Sequence, residues 1–158
     1  MRTIKFYAFA LLLLSSFNSI SAKEYHLQSP SGKIAANIDC GDNLSFSVCC
    51  NGKEVLAKSP VSMTLSDGTV WGEKAKITKA VRKSNKSIIE SLFSPSATMP
   101  DVYNSLTLRM KGGWSVEFRA YDDGFAYRFA STLDKPYEIA TEQTDFNLSL
   151  IHISEPTR

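Results

Sequence analysis

From residue 23 onward, apolar and polar residues take alternate places along short runs, and glycine-bearing turns interrupt the runs every one to two dozen residues. A period of two belongs to extended strands whose two faces meet different surroundings, so the pattern predicts an antiparallel all-β domain; helical spacing is almost absent. Register fixes the first hairpin. With Gly41-Asp42-Asn43 as the loop, Ile38 faces Phe46, Ala36 faces Val48 and Ile34 faces Cys50, all apolar and all on one side. A slip of one residue would set these side chains against Asp39, Ser45 and Ser47. Asn51-Gly52 then supplies the positive-φ pair of a type I′ turn and sends residues 53–56 back along the preceding strand. Ser59-Pro60 ends that pairing, because proline has no N–H for a ladder. Val61, Met63 and Leu65 alternate with Ser62 and Thr64 as far as the turn Ser66-Asp67-Gly68.

Residues 69–87 are rich in Lys, Arg and Glu, with Val70, Trp71, Ile77 and Val81 as anchors, and predict a long, partly exposed strand and a loop. Residues 88–93 form a further apolar segment, and residues 94–100 a proline-bracketed loop of small residues. The second half is cleaner. Leu106, Leu108 and Met110 point inward, Gly112-Gly113 turns the chain, and Val116, Phe118 and Ala120 return it with Glu117 and Arg119 outward. Asp122-Asp123-Gly124 turns it again into Phe125, Tyr127 and Phe129, with Arg128 on the other face. This is a three-strand meander, and neither an internal repeat nor an interdomain linker breaks the chain.

Both ends stand apart from this pattern. Arg2 and Lys5, an apolar run over residues 6–14 and small residues over 15–22 make residues 1–22 a signal peptide, cut after Ser21 or Ala22. The run is shorter than the ~20 residues that cross a bilayer, which disfavours an anchor and predicts an exported mature protein. At the other end, residues 149–158 are read as a non-native tail. Leu150-Ile151-His152-Ile153-Ser154-Glu155-Pro156-Thr157-Arg158 resembles a translated sequencing adapter, although residues 148–153 also alternate as an ordinary final strand would. The domain is therefore expected over residues 23–148.

Charge changes the picture little. The 158-residue chain carries a formal +2, and setting aside Arg2, Lys5, Arg158 and Glu155 cancels it. Bulk electrostatics steer it neither to nucleic acid nor to an acidic membrane. Export raises the question of disulfides among Cys40, Cys49 and Cys50. In the hairpin register Cys40 lies roughly 17–20 Å from the other two at strand rise, and a disulfide needs Cα atoms within about 7 Å. The three read as small buried hydrophobes with one thiol left exposed.

Catalytic chemistry is sparse. His26 lies beside the mature terminus and His152 in the tail, so no triad or histidine metal cluster can be assembled. Asp122 and Asp123 are adjacent acids, but carboxyls that cleave glycosides flank the bond at ~5–10 Å, whereas neighbours in a tight turn diverge into water. Asp before Gly is what the turn itself requires. Trp71, Trp114, Tyr103 and Tyr121 have rings suited to stacking on sugar C–H faces, and equally suited to packing in the core. Arg119 and Arg128, with Glu117 beside them, pair across strands, dock on another domain, or form a solvated surface pair.

Three stretches carry a resemblance: Ser29-Pro30-Ser31-Gly32-Lys33; Asn51-Gly52-Lys53-Glu54-Val55-Leu56 followed by Ser59-Pro60; and Trp114-Ser115-Val116-Glu117-Phe118-Arg119-Ala120-Tyr121-Asp122-Asp123-Gly124-Phe125-Ala126-Tyr127-Arg128-Phe129. The last is the specific one. Together they make residues 25–148 similar to the amino-terminal domain of glycoside hydrolase family 97. The resemblance implies an antiparallel β-super-sandwich of the galactose-mutarotase kind, incomplete here, that precedes a (β/α)₈ barrel. It also implies a secreted exo-acting α-glycosidase, either an α-glucosidase or an α-galactosidase, acting on α-linked oligosaccharides and dependent on calcium.

The family's catalytic and calcium-binding residues lie mainly in the barrel, beyond this sequence. No catalytic, cofactor-binding or metal residue is therefore assigned in it, and no cofactor is expected in this fragment. The expected partners are the substrate, reached through the barrel, and the barrel itself. The fragment alone is expected to be inactive, and residues 23–148 alone to aggregate or melt without cooperativity, because a sandwich lacking later strands exposes edges. A different class, a stand-alone periplasmic sugar-binding or scaffolding sandwich, is the competing reading.

Overall fold

The computed structural model describes residues 23–90, 98–134 and 136–149. The signal peptide expected over residues 1–22, the parts of the expected apolar segment and loop over residues 91–97, and the tail from residue 150 onward lie outside the described residues. Among the described residues the regular structure is all strand: β1 (Lys23–Gln28), β2 (Ile34–Cys40), β3 (Leu44–Cys50), β4 (Lys53–Leu65), β5 (Val70–Trp71), β6 (Ile77–Glu90), β7 (Thr98–Met110), β8 (Trp114–Ala120), β9 (Phe125–Ser131) and β10 (Ile139–Thr144). These form two antiparallel sheets, one in the order β1-β2-β3-β4-β10 with β5 also on β4, the other β6-β7-β8-β9. The all-β sandwich expected from the alternation is the observed architecture.

The hairpins hold their expected registers. Ile38 pairs with Phe46, Ala36 with Val48 and Ile34 with Cys50. Asn51 and Gly52 take φ of 50° and 77°, the left-handed pair that a two-residue turn matched to strand twist demands. The β3–β4 ladder ends at Ser45–Pro60. β4 nevertheless runs on, because it changes partners: residues 61–65 pair with β10 along one edge, and Met63 and Thr64 pair with β5. Gly72 makes this exchange possible. Its φ is +109°, and a Cβ there would stand 2.5 Å from the Val61 carbonyl oxygen; its own carbonyl receives the Leu44 N–H at 2.6 Å.

The middle of the chain differs from expectation. Ile88 and Ile89 belong to the same strand as Ile77, and β7 already begins at Thr98, so Pro100 is a strand residue paired with Ile88. The β7–β8 ladder reaches only Asn104–Ala120, so near Pro100 β7 has a partner on one edge and the missing N–H need break no ladder. The meander is thus four strands, not three.

The core lies between the sheets. Ile38, Leu44, Phe46 and Val61 from the first sheet, and Leu106, Leu108, Val116 and Phe118 from the second, are almost wholly removed from water. Burial stabilises by about 1.5–3 kcal/mol per large apolar side chain. The Phe46 ring lies 6.0 Å from Phe118 and 5.2 Å from Phe125. Along one side the layers are tied through β1, whose His26 and Gln28 carbonyls accept from Arg82 NH1 at 2.6 Å and Asn104 Nδ2 at 2.8 Å.

Candidate functional site

The outward face of the second sheet carries the densest polar cluster. Side chains of a strand alternate between faces, so the parity that buries Val116 and Phe118 turns Glu117 and Arg119 outward, and Arg128 stands directly across from Glu117. Glu117 bridges both guanidinium groups: Arg119 Nε donates to Oε1 at 2.9 Å, and Arg128 donates to Oε2 through Nε at 2.7 Å and NH2 at 2.6 Å. Burial pushes the Glu117 carboxyl up, but the hydrogen bonds and charges of the two arginines outweigh it and hold the group below its ordinary value. Arg119 is held protonated more firmly than usual by the same bond, with Tyr121 adding to it.

The cluster continues through aromatic rings. The Arg119 guanidinium lies 4.5 Å above the Tyr103 ring, a cation–π geometry, and Tyr103 is 5.1 Å from Tyr121. Tyr121 donates to Asp101 Oδ1 at 3.4 Å, and Asn85 Nδ2 lies 2.9 Å from Oδ2 and 2.7 Å from the Asp101 carbonyl oxygen. Every charged group here has a partner. A carboxylate already shared by two arginines is a poor proton donor, so the face is suited to holding a shape or a partner and not to acid–base chemistry. Arg128 thus pairs with Glu117 across strands, while Arg119 pairs with it along β8.

The remaining candidates are dispersed. Asp122 sits in the β8–β9 turn and accepts from the Ser31 hydroxyl at 2.7 Å and the Ser31 N–H at 2.9 Å, bonds that lower its pKa. It staples that turn to the β1–β2 turn. Trp71 and Trp114 are 2% and 7% exposed and stack at 5.5 Å with planes 5° apart, so neither presents a ring to a sugar. His26 Nδ1 is 2.8 Å from Asn37 Oδ1. The three thiols are free. Among the described residues no group of three or more His, Cys, Asp or Glu side chains stands together.

Two features were not legible from the alternation. Residues 147–149 add to the open edge of β4, with Ala57 N–H donating to the Asn147 carbonyl at 2.9 Å; the buried Ser59 hydroxyl accepts from Asn147 N–H at 3.0 Å. Beside them an apolar cleft of about 520 Å³ opens between the sheets, lined by Phe46, Leu56, Phe125, Tyr127, Phe146 and Leu148. The second is the joint role of Asn85 and Asp101, which stand 16 residues apart and meet only once β6 and β7 pair. Asp and Asn in a strand was the available signal, since both are rare there without a bonding reason.

Comparison with known proteins agrees with this geometry. The family model described as Glycosyl-hydrolase 97 N-terminal matches residues 27–153. A retaining alpha-galactosidase of Bacteroides thetaiotaomicron is 44% identical over 136 residues, 86% of this chain and 20% of the relative. The chain thus spans about a fifth of that relative's length. A glycoside hydrolase family 97 enzyme from Pseudoalteromonas sp. strain K8, solved with acarbose, superposes with a TM-score of 0.69 at 25% identity, over 81% of this chain and 21% of that one. A beta-arabinopyranosidase superposes at 0.70 and 22% identity, over 80% of this chain and 22% of its own, a likeness of fold. With the family model covering most of the sequence and the two-sheet architecture matching, the chain belongs to the glycosyl-hydrolase 97 N-terminal family.

Proposed function

We propose that this chain is the non-catalytic sandwich of a longer, exported exo-acting α-glycosidase, an α-galactosidase or α-glucosidase that cleaves α-linked oligosaccharides in the periplasm. The observation that carries the reading is the 44% identity to a retaining alpha-galactosidase, of which this chain matches a fifth. The geometry supports the division of labour. Glycoside cleavage needs two carboxyls placed on either side of the bond, whereas Glu117 is shared by two arginines and Asp122 is bound by Ser31. The acid, its partner carboxylate and the calcium ligands belong to the part of the polypeptide that follows. Residues 1–22 serve as the export signal.

The test is an assay on p-nitrophenyl α-galactoside and α-glucoside with two samples, this chain and the product of the uninterrupted gene. The gene product hydrolyses one of them and loses the activity to a calcium chelator; the chain hydrolyses neither. Turnover by the chain itself would overturn the division of labour. A gene product that binds α-linked sugars without cleaving them would overturn the enzyme reading.

A further inference from the structure

We propose that a cleft at the Gly112-Gly113 end of the second sheet binds an anionic glycan, a polymer whose sugars carry carboxylate or sulfate. The pairing of β6 with β7 gathers there five cations that the sequence leaves in two separate runs, Lys74, Lys76 and Lys79 in one, Arg109 and Lys111 in the other. The Lys111 N–H donates to the Lys76 carbonyl at 2.8 Å, and Lys79 stands directly opposite Arg109. A bulge arranges this. Ile77 pairs with Met110 and Lys79 with Arg109, so β6 holds one residue too many, Thr78, whose hydroxyl donates to the Arg109 carbonyl at 3.0 Å. Without it Lys79 would share the inward face of Ile77; with it Lys79 joins Arg109 on the outward face.

All five cations are exposed, and the ion pairs formed among the described residues engage Lys58, Arg119 and Arg128 and none of these five. Like charges set directly opposite weaken a strand pair, so the fold itself gains nothing from Lys79 beside Arg109, and a bound anion is what offsets the repulsion. The cluster borders a concavity. A cleft of about 300 Å³ is lined by Lys74, Lys76 and Lys111, with Glu73 as its acid and Trp71 and Trp114 as its apolar wall. Gly112 keeps that wall open: its φ is +106°, and a Cβ there would stand 3.7 Å from Trp114 Cδ1 and 3.8 Å from Nε1. The Trp114 face is taken by Trp71, so the indole meets the cleft by the edge that carries its N–H. A cleft lined by one sign of charge over a low-dielectric wall concentrates counter-ions, and ligand sites are concavities of roughly 300–1,000 Å³ with a few convergent polar groups.

Charge and shape together select the occupant. A further strand of the same sandwich would take the five cations out of water with nothing to pair them, which is costly. A membrane is met by apolar side chains that protrude among basic ones, whereas the apolar groups here line the wall of a recess. A simple inorganic anion would use the lysines and leave the indole edge idle. An acidic sugar uses both, its anion against the ammonium groups and its C–H and hydroxyl groups against the apolar wall and its N–H. The choice of a glycan over another polyanion leans on the proposed function, in which the longer polypeptide acts on sugars; the cation cluster and its cleft do not.

The experiment is affinity electrophoresis of the uninterrupted gene product at low salt, through gels that hold polygalacturonate or dextran sulfate and, beside each, its uncharged counterpart, methyl-esterified polygalacturonate or dextran. The expected result is retardation by at least one charged polymer beyond its counterpart, lost at high salt as screening requires; the polymer that retards names the anion. Lys76→Gln with Lys111→Gln is expected to weaken the retardation by about tenfold or more, the worth of one hydrogen bond to a charged group. Lys53→Gln with Lys86→Gln removes the same charge at exposed positions away from the cleft and is expected to leave it nearly unchanged. Arg109→Gln repeats the measurement if the first double variant does not fold. Equal mobility in charged and uncharged gels, equal weakening by the two double variants, or release by polyglutamate or phosphatidylglycerol vesicles as readily as by the free glycan would each overturn the proposal. Hydrolysis of α-glycosides by the unsubstituted protein is followed in parallel. Its absence sinks the proposed function, while the gels still decide the cleft.

Discussion

Cys40 and Gly72 show how far single positions follow from their neighbours. Cys40 faces Leu44 at the loop end of the β2–β3 ladder and is 8% exposed. Burial, reinforced by Asp39, pushes its thiol up to about 12. The thiolate is the reactive form, and this shift leaves Cys40 almost wholly as the thiol at pH 8. We expect iodoacetamide at pH 8 to modify the half-buried Cys49 and Cys50 in the native protein and to reach Cys40 only after denaturation, as read by peptide mass spectrometry. Native Cys40 labelling at the rate of the other two would contradict the burial. That placement was legible in the hairpin register. Gly72 was not, because its need for φ +109° and for no Cβ comes from Val61 passing beneath it, a neighbour the local sequence does not announce.

Among the elements, β8 and β9 carry the most legible pairing. Alternation placed Glu117, Arg119 and Arg128 on one face, and the ladder sets Glu117 opposite Arg128. The folded carboxyl titrates below its ordinary value of 4.5, so its contribution to stability is present above the unfolded value and is lost as pH falls through the folded one. Glu117→Gln should cost about 1 kcal/mol at pH 7, a figure kept small because Arg128 is largely exposed, and less at pH 3. Urea unfolding at the two pH values checks this; an equal deficit at both would mean the ion pairs are not its source. β6 and β7 were less legible. Their polar, lysine-rich residues blur the alternation, and Pro100 imitates a loop. It is tolerated in the strand only because β8 stops short of it, a fact about a third strand and not about the proline.

For the molecule as a whole, the contact that matters most joins the two sheets. Trp71 on β5 stacks on Trp114 on β8, and Phe129 and Tyr137 lie against Trp71 at 6.5 and 5.3 Å. Removing a buried tryptophan loses its transfer energy and leaves a cavity, so Trp71→Ala should cost about 3–5 kcal/mol. The expected result is a large drop in melting temperature together with loss of the near-ultraviolet circular dichroism of the coupled indoles. Trp71→Phe should restore much of the stability and little of that signal. An alanine variant that melts within a few degrees of the parent would show that the sheets are held elsewhere.

The sequence by itself determined the strands, the hairpin registers and which face of each strand turns inward, because these depend on residues a few positions apart and on turns whose φ values only certain residues adopt. It also determined the family, through the block around residues 114–129. The tertiary structure alone decided which strands share a sheet, where β4 exchanges β3 for β5 and β10, that Trp71 and Trp114 face one another instead of a ligand, and that Asn85 meets Asp101. Each of these joins positions whose separation along the chain carries no periodic signal, and each is settled by which surfaces remain to be buried once the hairpins have formed.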